Sequence, residues 1–300
     1  MLKAEALSIG YGDNLIIHEL GLEIKKGDLV TIIGVNGSGK STLLKTLSRN
    51  LRPLKGIVYL DGKCIFKQDT RTIARKLAIL PQAPKVPEDF TVRDLVSYGR
   101  QPYLGLTGRL KPQDFEIIDW AISATRIDYL QHRLVSTLSG GERQKAWIAL
   151  ALAQQPEVLL LDEPTTFLDI GCQFEILELV KSLNSQLGIT VVMVLHDINQ
   201  AARFSREIIV LKDGRVYKRG RPEEIVTEEV MEEVFNVKVR VLRDHENNCP
   251  YFIPVSDSRA ERLLHRGPRT NSKRRWELLS LRFLKTVKLT TAFTTARRKL

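Results

Sequence analysis

Residues 34–41 read Gly34-Val35-Asn36-Gly37-Ser38-Gly39-Lys40-Ser41. This is the G-x-x-x-x-G-K-[ST] spacing in which glycine-rich backbone wraps a chain of phosphates. Lys40 is expected to reach the β- and γ-phosphates, and Ser41 to place its hydroxyl on a Mg²⁺ ion. The candidate nucleotide-binding residues here are Gly34, Asn36, Gly37, Ser38, Gly39, Lys40, Ser41 and Thr42. Further along, Val158-Leu159-Leu160-Leu161 runs into Asp162-Glu163. An Asp at the end of a buried strand can hold Mg²⁺ directly or through water. The Glu beside it can orient a water for in-line attack on the γ-phosphorus, with positioning and charge neutralisation doing the work.

These residues need a strand and a helix to hold them. Leu29-Val30-Thr31-Ile32-Ile33 is rich in β-branched residues and reads as a buried parallel strand. After the loop, Leu43, Leu44 and Leu47 recur at helical spacing. The loop therefore joins a strand to a helix N-terminus, where unpaired N–H groups face an anion. Residues 1–24 read as short strands broken by Gly10, Gly12 and Asp13, and Gly56 to Leu60 as another strand closed by Asp61-Gly62. Leu77 to Leu80 is a short apolar run ending at Pro81. From Thr91 to Gln155 the pattern turns helical and reads as an insertion into an α/β domain. A helix is predicted over 170–187 with Gly188 as its cap, a buried strand over 189–195, and a hairpin about Asp213-Gly214. One helical period covers 222–236, and 237–242 and 251–255 are late strand candidates. The alternation implies an α/β fold with a mostly parallel sheet.

The chain has 300 residues and a net charge of +11. Residues 256–300 hold 13 Lys/Arg against 3 Asp/Glu, so the body before them is near neutral. A neutral body gives no reason to expect nucleic-acid binding. Cys64, Cys172 and Cys249 stand far apart, without metal spacing, and read as reduced thiols of a cytosolic protein. The first residues lack the apolar stretch of a signal peptide, and no apolar run reaches the ~18 residues a membrane span needs.

Leu138-Ser139-Gly140-Gly141-Glu142 follows the phosphate loop by about a hundred residues. With it, the ordered set resembles the nucleotide-binding subunit of the ATP-binding cassette (ABC) transporter family over residues 2–255. The resemblance implies a P-loop NTPase core of ABC type, with a mostly parallel sheet, an antiparallel β subdomain and a helical subdomain inserted at about 88–155. It implies ATP and Mg²⁺, the latter on Ser41, Gln82 and Asp162. Glu163, His196 and Gln82 become the catalytic set, and Tyr11 the aromatic that stacks on adenine. Leu138 to Glu142 is then the signature, an anion nest that closes on ATP held by a second subunit, and Asp169 belongs to the loop at that dimer interface. Thr166-Phe167 depart from the family here, where the residues before Leu168 are usually small.

A single phosphate loop and a single signature imply pairing with another ATPase subunit, expected to be a copy of this chain. A membrane permease is the implied partner, an extracytoplasmic substrate-binding protein an indirect one, and the implied place is the cytoplasmic face of a bacterial plasma membrane. Thr91-Val92-Arg93-Asp94-Leu95-Val96-Ser97-Tyr98-Gly99-Arg100-Gln101-Pro102-Tyr103, Leu51 to Gly56, Leu80-Pro81-Gln82 and His196 to Ala201 resemble the importers of iron(III)-siderophore, haem and cobalamin. Iron(III)-siderophore import is the leading expectation. Haem, cobalamin or another metal chelate, and a non-transport ATPase in cofactor assembly, stand as alternatives. The basic extension 256–300, with Trp276, Phe283 and Phe293, exceeds that group. It is expected to be a poorly ordered appendage, although basic charge among aromatics would also permit contact with anionic lipid.

Overall fold

The structure, a computed structural model, describes residues 1–255 apart from Asp13, Ala83, Lys85, Leu106 and Thr107. The basic extension 256–300 lies outside the described residues. The chain begins with β1 (Leu2–Tyr11) and β2 (Asn14–Ile24), an antiparallel pair with several register shifts. These are two long strands, not short broken ones. Gly10 does not interrupt β1, because the Asn14 carbonyl lies 2.3 Å from where its Cβ would stand, so a side chain is excluded and the strand continues. Then follow β3 (Leu29–Gly34), α1 (Lys40–Leu47), β4 (Lys55–Leu60), β5 (Lys63–Cys64), α2 (Thr70–Ala74) and β6 (Leu77–Leu80). The helical insertion holds α3 (Val92–Ser97), α4 (Pro112–Ala124) and α5 (Gly140–Ala153). The chain returns through β7 (Val158–Asp162), α6 (Ile170–Leu187), β8 (Thr190–Val194), α7 (Ile198–Phe204), β9 (Glu207–Lys212) and β10 (Arg215–Gly220). It closes with α8 (Pro222–Ile225), α9 (Glu228–Phe235), β11 (Val239–Asp244) and β12 (Cys249–Pro254). The single helical period read over 222–236 is thus two helices, since the Thr227 side chain accepts from the Val230 N–H and starts α9 afresh.

The central sheet has six strands in the order β10-β9-β3-β8-β7-β6, parallel except at β10. A four-stranded antiparallel sheet, β2-β1-β4-β5, packs on one side of it. Alternation along each central strand sends side chains to two cores. Leu29, Ile33, Leu159, Leu161, Val191 and Met193 meet the inserted and C-terminal helices, while Val30, Ile32, Leu160, Val192 and Val194 meet α1 and the antiparallel sheet. Burial on both faces explains why these strands are apolar throughout. Parallel strands also bring their C-terminal ends to one edge, where β3 and β7 deliver the phosphate loop and the two acids.

A buried ion pair holds the insertion together. Arg100 Nε donates to Asp114 Oδ1 at 2.8 Å, and its Nη1 donates to the Ala153 carbonyl at 2.8 Å. Its guanidinium lies 3.8 Å over the Tyr103 ring. Burial alone would raise the Asp114 carboxyl, but the Lys111 N–H and then Arg100 hold it below the usual carboxylate range. Arg100 thereby ties the start of α4 to the end of α5. At the other end of the domain, the Asn199 side chain accepts from the Phe252 N–H at 2.9 Å and donates to its carbonyl at 3.2 Å, docking β12 on α7.

Candidate functional site

Residues 34–39 leave β3 and turn into α1 with Gly39 at the helix start, in a left-handed conformation with φ 98°. A Cβ there would also lie 2.4 Å from Ile17 Cδ1 on β2, so the loop runs against the antiparallel sheet. Lys40 is buried and folds back over the loop, its Nζ donating to the Gly34 and Val35 carbonyls at 2.9 and 3.0 Å. Burial lowers its pKa, with Glu163 and Asp162 working against that shift. Ser38 is buried too, and its Oγ has no partner among the described residues. A buried hydroxyl without a partner is costly, so it marks a place shaped for an outside polar group. Asn36 and Gly37 form the exposed crest of the loop, and Thr42 is half-buried in the first turn of α1.

Ser41 Oγ donates to Asp162 Oδ1 at 2.9 Å, joining the first turn of α1 to the end of β7. Asp162 is buried, and burial raises its pKa, opposed by the Ser41 bond. Next to it Glu163 adopts φ 54°, which turns its side chain out of the strand line. Three groups hold that carboxylate. Gln82 Nε2 donates to Oε2, Thr166 Oγ1 donates to Oε2 at 3.1 Å, and His196 Nε2 lies 2.6 Å from Oε1. Gln82 follows β6 and His196 follows β8, the two neighbours of β7 in the sheet. The strand order thus brings Gln82, Glu163 and His196 together from sequence positions far apart. Thr166 was legible only as a departure from a family pattern; its bond to Glu163 depends on the turn after β7, which sequence spacing does not reveal. Tyr11 stands half-exposed at the tip of the β1–β2 hairpin, on the antiparallel sheet that backs the phosphate loop.

The signature lies elsewhere. Leu138 is buried, and Ser139 caps α5, its Oγ accepting from the Glu142 N–H at 3.3 Å while Glu142 Oε2 accepts from the Ser139 N–H at 2.9 Å. That backbone bond keeps the Glu142 carboxyl below its usual range. A Cβ on Gly140 would lie 3.0 Å from Leu168 Cδ2, and one on Gly141 2.8 Å from Cys172 Sγ. The loop 166–169 and the start of α6 therefore form the seat of the signature turn. Asp169 caps α6, accepting from the Cys172 N–H at 2.9 Å, a bond that lowers its pKa. Among the described residues, no hydrogen bond or ion pair joins Ser139, Gly140, Gly141 or Glu142 to the phosphate loop, Asp162, Glu163 or His196.

Residues 17–166 match the family model described as ABC transporter. The iron(3+)-hydroxamate import ATP-binding protein FhuC of Bacillus subtilis (strain 168) is 49% identical over 249 residues, covering 83% of this chain and 93% of that protein. A metal-chelate type ABC transporter solved in an inward-facing conformation is 28% identical with a TM-score of 0.74, over 86% of this chain and 98% of that one. A bacterial ABC transporter cassette solved as a dimer is 31% identical with a TM-score of 0.65, over 74% of this chain and 98% of that one.

Proposed function

This chain belongs to the ABC transporter family as an ATPase, and on that premise we propose that it energises import of an iron(III)-siderophore through a membrane permease. The observation that carries the chemistry is the carboxylate of Glu163, held by Gln82, Thr166 and His196 next to the Ser41–Asp162 pair. Ser41 Oγ and Asp162 Oδ1 are adjacent hard oxygen donors, a set that suits Mg²⁺ completed by phosphate oxygens. When bound there with ATP, Mg²⁺ supplies charge neutralisation on the β- and γ-phosphates. Lys40 exchanges its two carbonyl partners for phosphate oxygens, and the buried Ser38 hydroxyl gains the partner it lacks. The backbone N–H groups of Gly37 and Gly39 line the same anion path into α1, and Tyr11 offers a ring face to the base.

Glu163 accepts the proton of the attacking water as the water's oxygen bonds to the γ-phosphorus and the bond to the bridging oxygen breaks. Gln82 and Thr166 fix the carboxylate through one oxygen and His196 through the other, so its direction is set before substrate arrives. The signature turn lies apart from this site within one chain. A second copy, arranged head to tail, would bring its Ser139 and Gly141 to the open side of the γ-phosphate.

The siderophore assignment is supported by the iron(3+)-hydroxamate import of the Bacillus subtilis relative and by the metal-chelate type of the similar transporter. Among the described residues no helix is long and apolar enough to cross a membrane. The chain would therefore act from the cytoplasmic face on separate permease subunits, with a substrate-binding protein on the other side. Reconstitution with permease and binding protein tests the reading. ATP should drive uptake of a ferric siderophore, and Glu163→Gln should stop it while ATP still binds. Full uptake by that variant would refute the role of Glu163, and ATP hydrolysis that no ferric chelate stimulates would refute the cargo.

A further inference from the structure

The two oxygens of the Glu163 carboxylate are held from two separate segments. His196 Nε2 lies 2.6 Å from Oε1 and stands just before α7, whereas Thr166 Oγ1 donates to Oε2 at 3.1 Å from the turn that leads into α6. The direction of the carboxylate therefore depends on how α7 sits relative to that turn. Between α6 and α7 the packing is largely aromatic. The Phe174 and Phe204 rings meet edge to face with centroids 5.8 Å apart, and the Arg203 guanidinium lies 5.1 Å over Phe174. Apolar packing is non-directional and tolerates sliding. One directional link crosses the contact. Gln200 Nε2 on α7 donates to Gln173 Oε1 on α6 at 2.7 Å, and Gln173 Nε2 donates onward to the Leu168 carbonyl at 3.0 Å. Among the described residues this is the only hydrogen bond between side chains of α6 and α7. Gln200 is buried, and its backbone N–H donates at 3.0 Å to Oδ1 of Asp197, the residue after His196. At the other end, the Leu168 N–H donates to the Thr165 carbonyl at 3.4 Å, and the Thr166 N–H to the Glu163 carbonyl at 3.2 Å. The links close a ring that leaves Glu163 by one carboxylate oxygen and returns by the other.

Resting on the reading of Glu163 as the general base, we propose that Gln173 and Gln200 are positioning residues for ATP hydrolysis within one chain. Their amide relay fixes α7 against the turn 166–168 and so sets the angle at which the Glu163 carboxylate meets the attacking water. Two amides between packed helices cost desolvation unless each is paired, and apolar side chains of equal size would fill the space without that cost. What the amides add is direction, because a hydrogen bond between them weakens steeply when either helix slides or turns. Neither side chain bonds to the phosphate loop. Among the described residues, their bonds run to each other and to Leu168. Loss of the relay should therefore leave ATP binding intact and act on the chemical step.

The test is ATP hydrolysis by the full chain in Mg²⁺ and ATP, with ATP affinity and melting temperature measured alongside. Gln200→Met keeps an unbranched side chain and removes the donor. It should lower kcat about 10–100-fold, the effect of a small misplacement away from the chemistry, with ATP affinity unchanged. It should also melt below the parent, because Gln173 Oε1 loses its partner. The double variant Gln173→Met/Gln200→Met removes both partners, so it should melt closer to the parent while kcat stays low. In a Glu163→Gln background, single-turnover hydrolysis should fall no further when Gln200→Met is added, because the relay works through that carboxylate. Parental kcat in both methionine variants overturns the relay and leaves Glu163 as the base. A kcat that recovers together with melting temperature in the double variant also overturns it, by making the pair a matter of stability alone. So does a loss of ATP affinity that matches the loss of kcat, by assigning the pair to nucleotide binding. Parental turnover by Glu163→Gln overturns the general base and the relay together.

Discussion

At the end of the parallel sheet side chains converge, whereas at the start of α5 they stay back. Lys40, Ser41, Asp162, Glu163, Gln82 and His196 reach toward one another there and leave Ser38 without a partner. The signature turn brings forward bare backbone, with its own side chains spent on a reciprocal cap and with Leu168 and Cys172 filling the space behind its glycines. On the proposed reading, the first region would supply charge and a base and the second shape and N–H groups, so that a γ-phosphate site would be completed only by two copies together.

The largest effect should come from the sheet end. Glu163→Gln should lower steady-state ATP hydrolysis by about 10²–10⁴-fold with ATP affinity retained, the range expected for loss of a general base. Turnover within a few fold of the parent would mean that the converging side chains do not supply the base.

Next is the fastening within the helical insertion, whose α5 begins at the signature turn. Arg100→Ala leaves the Asp114 carboxylate buried without its cation and should cost about 3–5 kcal/mol in denaturant unfolding. The pH dependence gives the sign. The folded Asp114 pKa lies below the ordinary value, so its contribution is complete above the unfolded pKa and is lost as pH falls through the folded one. Arg100→Ala should flatten that acid limb, and an unaltered limb would show that Lys111 alone holds the carboxylate.

A smaller effect tests the seat. Gly141→Ala puts a methyl 2.8 Å from Cys172 Sγ and should cost about 1–3 kcal/mol, as overpacking does. Adding Cys172→Ala should recover part of that loss in a double-mutant cycle. Strict additivity would separate the two residues and dissolve the contrast between a site made of side chains and one made by their withdrawal.

The smallest effect returns to the sheet end with its sign reversed. Burial raises the Asp162 pKa, so the folded chain keeps that proton to higher pH than the unfolded chain. Stability from this group is full at low pH and declines as pH rises through the folded value. Asp162→Asn should therefore be modestly more stable than the parent at neutral pH without nucleotide, while hydrolysis fails. A variant that is less stable at neutral pH would show that the carboxylate, and not its desolvation, matters to the fold.

Much of this was legible in the sequence because the decisive elements are local. The phosphate loop has its strand and helix on either side, and the helix 170–187 shows its period and its Gly188 cap. Short elements escaped. α2 has five residues and α7 seven, too few to display a period. Gly10 reads as a strand breaker, yet its bareness makes room for the Asn14 carbonyl across the hairpin. The Arg100–Asp114 pair and the contacts of Leu168 and Cys172 with the signature glycines join segments that only the folded topology brings side by side. Sequence could place each of those residues on an element but could not name what each would touch.

The clamp of Asn199 on Phe252 has a consequence for how the protein survives in a crowded cell. A two-stranded ribbon exposes hydrogen-bonding edges that can recruit a strand from another molecule. By meeting both the N–H and the carbonyl of Phe252, one amide side chain occupies the outer edge of β12 at its middle. Along that edge of β12, the row of free groups on which a foreign strand could nucleate is interrupted by a single residue of α7.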